Sequence, residues 1–207
     1  MSSPAAVSTA RRSAHATLPN LLSLTRVALV PVLVVLLAWP GSVTRAVAAV
    51  AFLVASITDF FDGWLARRHG ITSVLGQFLD PLADKLMVAA VLIMLVAVGP
   101  EPRAPAWMAA VMVVREISVT GLRGIASDGG IVLPALELGK YKMLFQAFAL
   151  EALLLHDRFT IPTTSLAVDC HAAGMVFLWV ALVLAVWSGI DYRMRILRRL
   201  NLDWPRG

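Results

Sequence analysis

Four aspartates, Asp59, Asp62, Asp80 and Asp84, stand in the run DFFDGWLARRHGITSVLGQFLDPLADK, between the apolar stretches AVAAVAFLVASIT and LMVAAVLIMLVAV. The first pair is spaced i,i+3 and the second i,i+4, so on helices each pair shares a face. Two such helices joined by a turn present four carboxylates to each other. Gly63, Ala66 and Gly76 continue the same stripes and leave room beside the acids. Only hard oxygen donors are offered, and the nearest imidazole, His69, falls in the turn. That donor set suits Mg²⁺ or Mn²⁺ and argues against zinc. Two divalent ions would offset the four negative charges, and two-metal carboxylate sites clamp a phosphoryl group between attacking and leaving oxygens. The rival reading pairs the aspartates with Arg67, Lys85 and Arg115 for structure alone. It is weakened because membrane helices rarely retain such costly groups without function.

The elements that must position these acids follow from composition. The chain has 207 residues, 59% of them hydrophobic and only 15% charged. Long apolar runs on that background indicate an all-α, polytopic membrane protein rather than a soluble domain. A sequence pI near 10.1 could suggest nucleic acid. The arginines sit beside apolar helices, however, so positive-inside topology explains the charge better and no nucleic-acid partner is expected. The single cysteine, Cys170, excludes an internal disulfide and a CxxC metal site.

Six spanning helices are predicted near residues 20–39, 44–67, 74–98, 104–125, 137–155 and 169–190. The breaks WPGS, RRHG, GPEPRAP, SDGG and HDRFTIPTTS are turn chemistry. Each segment approaches the roughly 20 residues that cross a ~30 Å core. Residues 18–200 form one domain, between an N-terminal tail at 1–17 and a C-terminal tail at 201–207. The first tail has no apolar h-region, so it is expected to be retained, either mobile or interfacial; Arg11 and Arg12 also permit a transit-peptide reading. With both termini inside, only Arg45, Arg103 and Arg158 of the 18 basic residues fall outside. That N-in, C-in arrangement is the one the positive-inside rule favours.

Reading each helix from its outer end, Val27–Trp39 runs to Arg26, Ala46–Thr58 to Asp59, Leu86–Val98 back to Lys85 and Asp84, and Ala104–Val114 to Arg115 and Glu116. The first three apolar runs span about 20 Å each at 1.5 Å per residue, short of the ~30 Å core. The charges therefore share one depth on the cytoplasmic side. Lys140 and Lys142 join that layer, whereas Glu151 does not fit it. Arg115, Arg123, Lys140 and Lys142, with Arg26, make a cationic cluster. A neutral alcohol would not require it, but a phosphate monoester would, since guanidinium groups bind phosphate bidentately. Ordinary positive-inside decoration is the alternative for each residue taken singly. Glu116 is placed to orient Arg115 or Arg123. Asn20 and Ser23 lie near Arg26 and can reach donor phosphates, with N-capping by Asn20 equally open.

Asp59, Asp62, Gly63, Ala66, Arg67, Gly76, Asp80 and Asp84 together resemble, at every fixed position, the signature of the CDP-alcohol phosphatidyltransferase family. LPNLLSLTRV is similar to the family's N-terminal segment. REISVTGLR and GKYK resemble the bacterial branch that uses glycerol 3-phosphate as acceptor, although Met143 stands where threonine is expected. The resemblance implies a multi-pass enzyme of the bacterial cytoplasmic membrane, homodimeric, with its site facing the cytoplasm among membrane lipids. It implies transfer of the phosphatidyl group from CDP-diacylglycerol to glycerol 3-phosphate, with release of CMP. Asp59, Asp62, Asp80 and Asp84 would hold two divalent ions, Mg²⁺ or Mn²⁺, with Asp84 also the general base. Gly63, Ala66, Arg67, Ser73 and Gly76, with Asn20 and Ser23, would bind the donor.

Three other readings compete. Intramembrane carboxylates also mark cation pathways, but transporters place them near the midplane and show internal repeats, of which none is visible. A Mg²⁺-dependent prenyltransferase would use Asp-rich motifs without the Ala-Arg and Gly spacing seen here. Within the family, an inositol phosphate acceptor would need the same cationic pocket.

Overall fold

A helix that carries apolar side chains on every face has only lipid or protein to bury them in. That pattern recurs through the computed structural model of the chain, which describes residues 24–39, 41–69, 74–98, 102–128, 137–156, 158–160 and 167–203. Six helices lie among them. These are α1 (Leu24–Ala38), α2 (Ser42–His69), α3 (Val74–Ala97), α4 (Ala106–Asp128), α5 (Glu137–Leu155) and α6 (Cys170–Asp203). The helical expectation holds, and α5 has the predicted bounds. By length and apolar content, α6 alone among the described residues suffices to cross a membrane; the apolar stretches Leu24–Ala38 and Ser42–Thr58 are shorter.

The chain divides into two units, Met1–Met94 and Leu95–Gly207. In the first, the buried side chains recur at helical spacing: Leu33 and Leu37 on α1, Ala48, Phe52 and Ala55 on α2, and Ala83, Met87 and Val91 on α3. Opposite faces remain apolar and exposed, as with Val43, Val47, Val50, Val54 and Ile57 along α2. At the start of α2, the Gly41 carbonyl accepts from Arg45 N at 3.2 Å and from Thr44 Oγ1 at 3.0 Å.

In the second unit, α6 packs against α5 and α4. Their contacts fix direction. Trp107 stacks edge-on to Trp179 at 5.4 Å, Arg115 bonds Ser188, and Arg123 lies over Tyr192, so α4 and α6 run parallel. On α5 the order reverses, with Phe148 beside Phe177 and His156 beside His171, so α5 is antiparallel to both. Gly174 makes the tight approach possible. A Cβ there would stand 2.8 Å from Leu153 Cγ and 3.1 Å from its backbone nitrogen.

Two departures from expectation lie at the ends of α6. The connection from α5 to α6 carries a two-stranded antiparallel ladder, β1 (Arg158–Thr160) within the HDRFTIPTTS break and β2 (Ala167–Asp169) just after it, in register Arg158 to Asp169. It is entered through His156, whose φ of 54° and 3.0 Å bond to the Ala152 carbonyl close α5 in a left-handed cap. Asp169 then caps α6, its Oδ1 accepting from Ala172 N at 3.0 Å. At the other end, the predicted stop near residue 190 is overrun and the helix continues to Asp203. No proline or glycine follows Gly189 before that point, the segment is rich in good helix formers, and Arg195 pairs with Asp191 one turn back at 3.1 Å.

Candidate active site

Both halves of the aspartate motif are helical. Asp59 and Asp62 lie on α2, Asp80 and Asp84 on α3, and neither helix breaks across its pair. On unbroken helices the i,i+3 and i,i+4 spacings set each pair on one face, and the donors are all carboxylate oxygens, which fits a hard divalent cation. Gly63, Ala66, Arg67 and Gly76 are carried by the same two helices. The side chains of residues 59–69 and 74–81, and all of Asn20, Ser23 and Ser73, lie outside the described residues. Asp84 and Lys85 are half-buried and each has a polar or electrostatic contact. Arg26, on α1, is buried.

The cations of the second unit do not form one group. Arg115 and Lys142 come together, on α4 and α5, through a shared carboxylate: Glu116 Oε1 accepts from Arg115 Nη1 at 2.6 Å and from Lys142 Nζ at 2.5 Å. Lys142 is only 4% exposed at its side chain, Arg115 15% and Glu116 20%. Arg115 also reaches α6, where its Nε donates to the Ala185 carbonyl at 3.0 Å and its Nη2 to Ser188 Oγ at 2.7 Å. Ser188 passes its own proton back to the Leu184 carbonyl at 2.6 Å. A guanidinium in that fork has its plane fixed by three separate acceptors.

Lys140 stands apart from this group. Two residues along a helix turn it through about 200°, so Lys140 and Lys142 face nearly opposite ways. Lys140 is accordingly 66% exposed and bonds Glu137 one turn back at 2.6 Å. Met143 is also exposed. Arg123 lies two turns beyond Arg115 on α4 and rests over the Tyr192 ring, 5.8 Å from its centroid. Tyr192 belongs to a buried cluster with Val119, Ala126 and Ile196, against which Leu122 packs. Of the acceptor cations expected from sequence, the fold of this unit thus joins Arg115 to Lys142, and leaves Arg123 exposed farther along the same α4–α6 seam and Lys140 outside.

The sequence carrying these two groups matches the CDP-alcohol phosphatidyltransferase profile over residues 16–187, most of the chain. The chain belongs to the CDP-alcohol phosphatidyltransferase family. It is an enzyme of that family, as the aspartate signature implied. A CDP-diacylglycerol–glycerol-3-phosphate 3-phosphatidyltransferase of Bacillus subtilis is 39% identical, covering 84% of this chain and 92% of its own length. A probable phosphatidylglycerophosphate synthase of Mycobacterium tuberculosis is 36% identical over 93% of this chain and 87% of its own. An Arabidopsis thaliana protein named CDP-diacylglycerol–glycerol-3-phosphate 3-phosphatidyltransferase 2 is 37% identical over 96% and 88%. The similarity thus spans both units and nearly the full length of each relative.

The pattern of charges in the sequence does not single out Ser188 or Tyr192. The signal was there in Ser188, a hydroxyl beside Gly189 in an otherwise apolar stretch. It is buried, at 1% exposure, at the level of Arg115.

Proposed function

We propose that this enzyme transfers the phosphatidyl group of CDP-diacylglycerol to glycerol 3-phosphate, giving phosphatidylglycerophosphate and CMP. The observation that carries the reading is the pair of unbroken helices α2 and α3 bearing the aspartate motif. It stands in a chain similar over almost its whole length to proteins named for this reaction. In the reading, the chain crosses the bacterial cytoplasmic membrane six times with both termini inside. The many exposed apolar side chains, among them Trp39, Trp107, Val183 and Trp187, support contact with lipid.

Asp59, Asp62, Asp80 and Asp84 would hold two Mg²⁺ or Mn²⁺ ions, which when bound supply positive charge to the donor's pyrophosphate. Gly63, Ala66 and Gly76 admit the nucleotide closely, Arg67 offers charge, and Ser73, Asn20 and Ser23 complete the donor side. Asp84 takes the proton of the acceptor hydroxyl as that oxygen attacks the phosphorus bearing diacylglycerol. The bond to the CMP phosphate then breaks. A carboxylate of ordinary basicity would suffice for Asp84, since bound cations would offset charge on the reacting phosphoryl group. On the acceptor side, Arg115, Lys142 and Arg123, with Lys140 and Arg26, favour a substrate carrying its own phosphate. Homodimerisation is part of the same reading.

The test follows CMP release by the purified chain in lipid nanodiscs holding CDP-diacylglycerol. Release that depends on both glycerol 3-phosphate and Mg²⁺ or Mn²⁺ is the expected result. Release that ignores glycerol 3-phosphate, or that persists fully in chelator, would contradict it.

A further inference from the structure

The 34 residues of α6 extend about 51 Å at 1.5 Å per residue, well beyond a hydrocarbon core of ~30 Å. With α6 read as a span from Cys170, Arg193 comes just past the roughly 20 residues that cross the core, at headgroup level. Beside it α4 and α6 leave an open groove of about 490 Å³. Leu122 and Ile125 line it from α4, and Arg193, Ile196 and Leu197 from α6. Gly121 keeps one wall low, since a Cβ there would meet nothing within 4 Å. Ile125, Leu197 and Arg193 are all exposed. Ile125 lies two residues from Arg123, about 200° around α4, so the groove faces away from that cation.

Apolar walls with a cation among them select the occupant. Among the described residues no ion pair involves Arg193. Arg195 takes up Asp191, and beyond that pair Arg193, Arg198 and Arg199 outnumber Asp203 at this end of α6. A second copy of the chain, related by two-fold symmetry, would bring the same cations to the same groove. The N-terminal tail is disfavoured on the same ground, because it carries Arg11 and Arg12 and no acid precedes Asp59. A soluble acidic peptide would answer the charge but leave the leucine and isoleucine walls unmatched. A lipid with an anionic headgroup answers both. We propose that the α4–α6 groove binds one anionic diacyl phospholipid, with Arg193 on its phosphate and the upper part of an acyl chain along Leu122, Ile125, Ile196 and Leu197. This rests on the reading of α6 as a membrane span.

Native mass spectrometry of the full chain in mild detergent tests it, by titration with phosphatidylglycerol or phosphatidylcholine of identical acyl chains. Wild type is expected to retain one phosphatidylglycerol about tenfold more tightly than phosphatidylcholine, the scale of one charge-assisted contact. Arg193→Gln reduces that preference to about twofold or less. Arg198→Gln, about 140° around the helix from Arg193, keeps it. Gly121→Leu fills the groove without a clash and replaces glycine by a better helix former, so it keeps its melting temperature and loses the bound lipid. In nanodiscs, Gly121→Leu and Arg193→Gln leave the KM for CDP-diacylglycerol within about twofold. Equal retention of the two lipids by wild type would overturn the proposal, as would lipid still bound to Gly121→Leu. Equal loss of preference in Arg193→Gln and Arg198→Gln would also overturn it, by showing a diffuse surface charge. A tenfold rise in the KM for CDP-diacylglycerol in Gly121→Leu would assign the groove to the donor's own chains instead. The binding measurement needs no turnover, so failure of the acceptor reading leaves it standing. A chain released from membranes by alkaline carbonate would overturn the membrane reading, and the proposal with it.

Discussion

At the scale of single residues, Lys140 and Lys142 show how far two positions of one short motif can differ. The sequence run GKYK makes them look equivalent, yet one is exposed beside Glu137 and the other is buried against Glu116. Exposed pairs of the first kind contribute at most about 1 kcal/mol, whereas breaking a buried pair costs about 3–5 kcal/mol. Lys142→Met is therefore expected to lower both thermal stability and kcat/KM for glycerol 3-phosphate, while Lys140→Met leaves stability nearly unchanged. Melting curves beside the kinetics check the ranking. Arg123→Ala is expected to lower kcat/KM for the acceptor tenfold to a hundredfold, the equivalent of about 1.5–3 kcal/mol, with little change in the KM for CDP-diacylglycerol. Asp84→Asn differs again, losing turnover far beyond any loss of acceptor binding. Damage by Arg123→Ala to CDP-diacylglycerol binding alone would show that the site is divided differently.

At the scale of elements, helix positions were legible because apolar runs and turn residues alternate plainly. The ends of α6 were not. A short ladder such as β1–β2 depends on pairing across six intervening residues, which local composition does not encode. The overrun to Asp203 comes from the absence of a stop signal, after an apolar stretch has already ended. Gly174 is legible only in the fold, since its need for a bare Cα comes from Leu153 on another helix. Gly174→Val is expected to force α5 and α6 apart and to destabilise the second unit by about 1–3 kcal/mol, read as a lowered melting temperature in detergent. An unshifted melting temperature would show that this seam can relax. The cation cluster proposed for the acceptor was half legible: residue types marked Arg115 and Lys142, but only the fold shows that Glu116 joins them and that Ser188 fixes Arg115.

At the scale of the whole molecule, the signature aspartates were legible because their i,i+3 and i,i+4 spacing on two helices is displayed directly by the sequence. Topology rests on the distribution of Lys and Arg. Cysteine labelling in intact cells checks it, using Ser13→Cys and Thr72→Cys beside native Cys170. The first two are expected to react only from the cytoplasm and Cys170 from outside; external labelling of Thr72→Cys would contradict the six-span arrangement. The central claim concerns the reaction itself. Its most direct measurement is a competition in one vessel: purified enzyme, CDP-diacylglycerol, Mg²⁺ and equal amounts of glycerol 3-phosphate, inositol phosphate and glycerol, with lipid products resolved by mass spectrometry. The account predicts phosphatidylglycerophosphate as the dominant product, formed in step with CMP and abolished in Asp84→Asn. A different phospholipid as the main product, or phosphatidylglycerophosphate formed undiminished by Asp84→Asn, would contradict it.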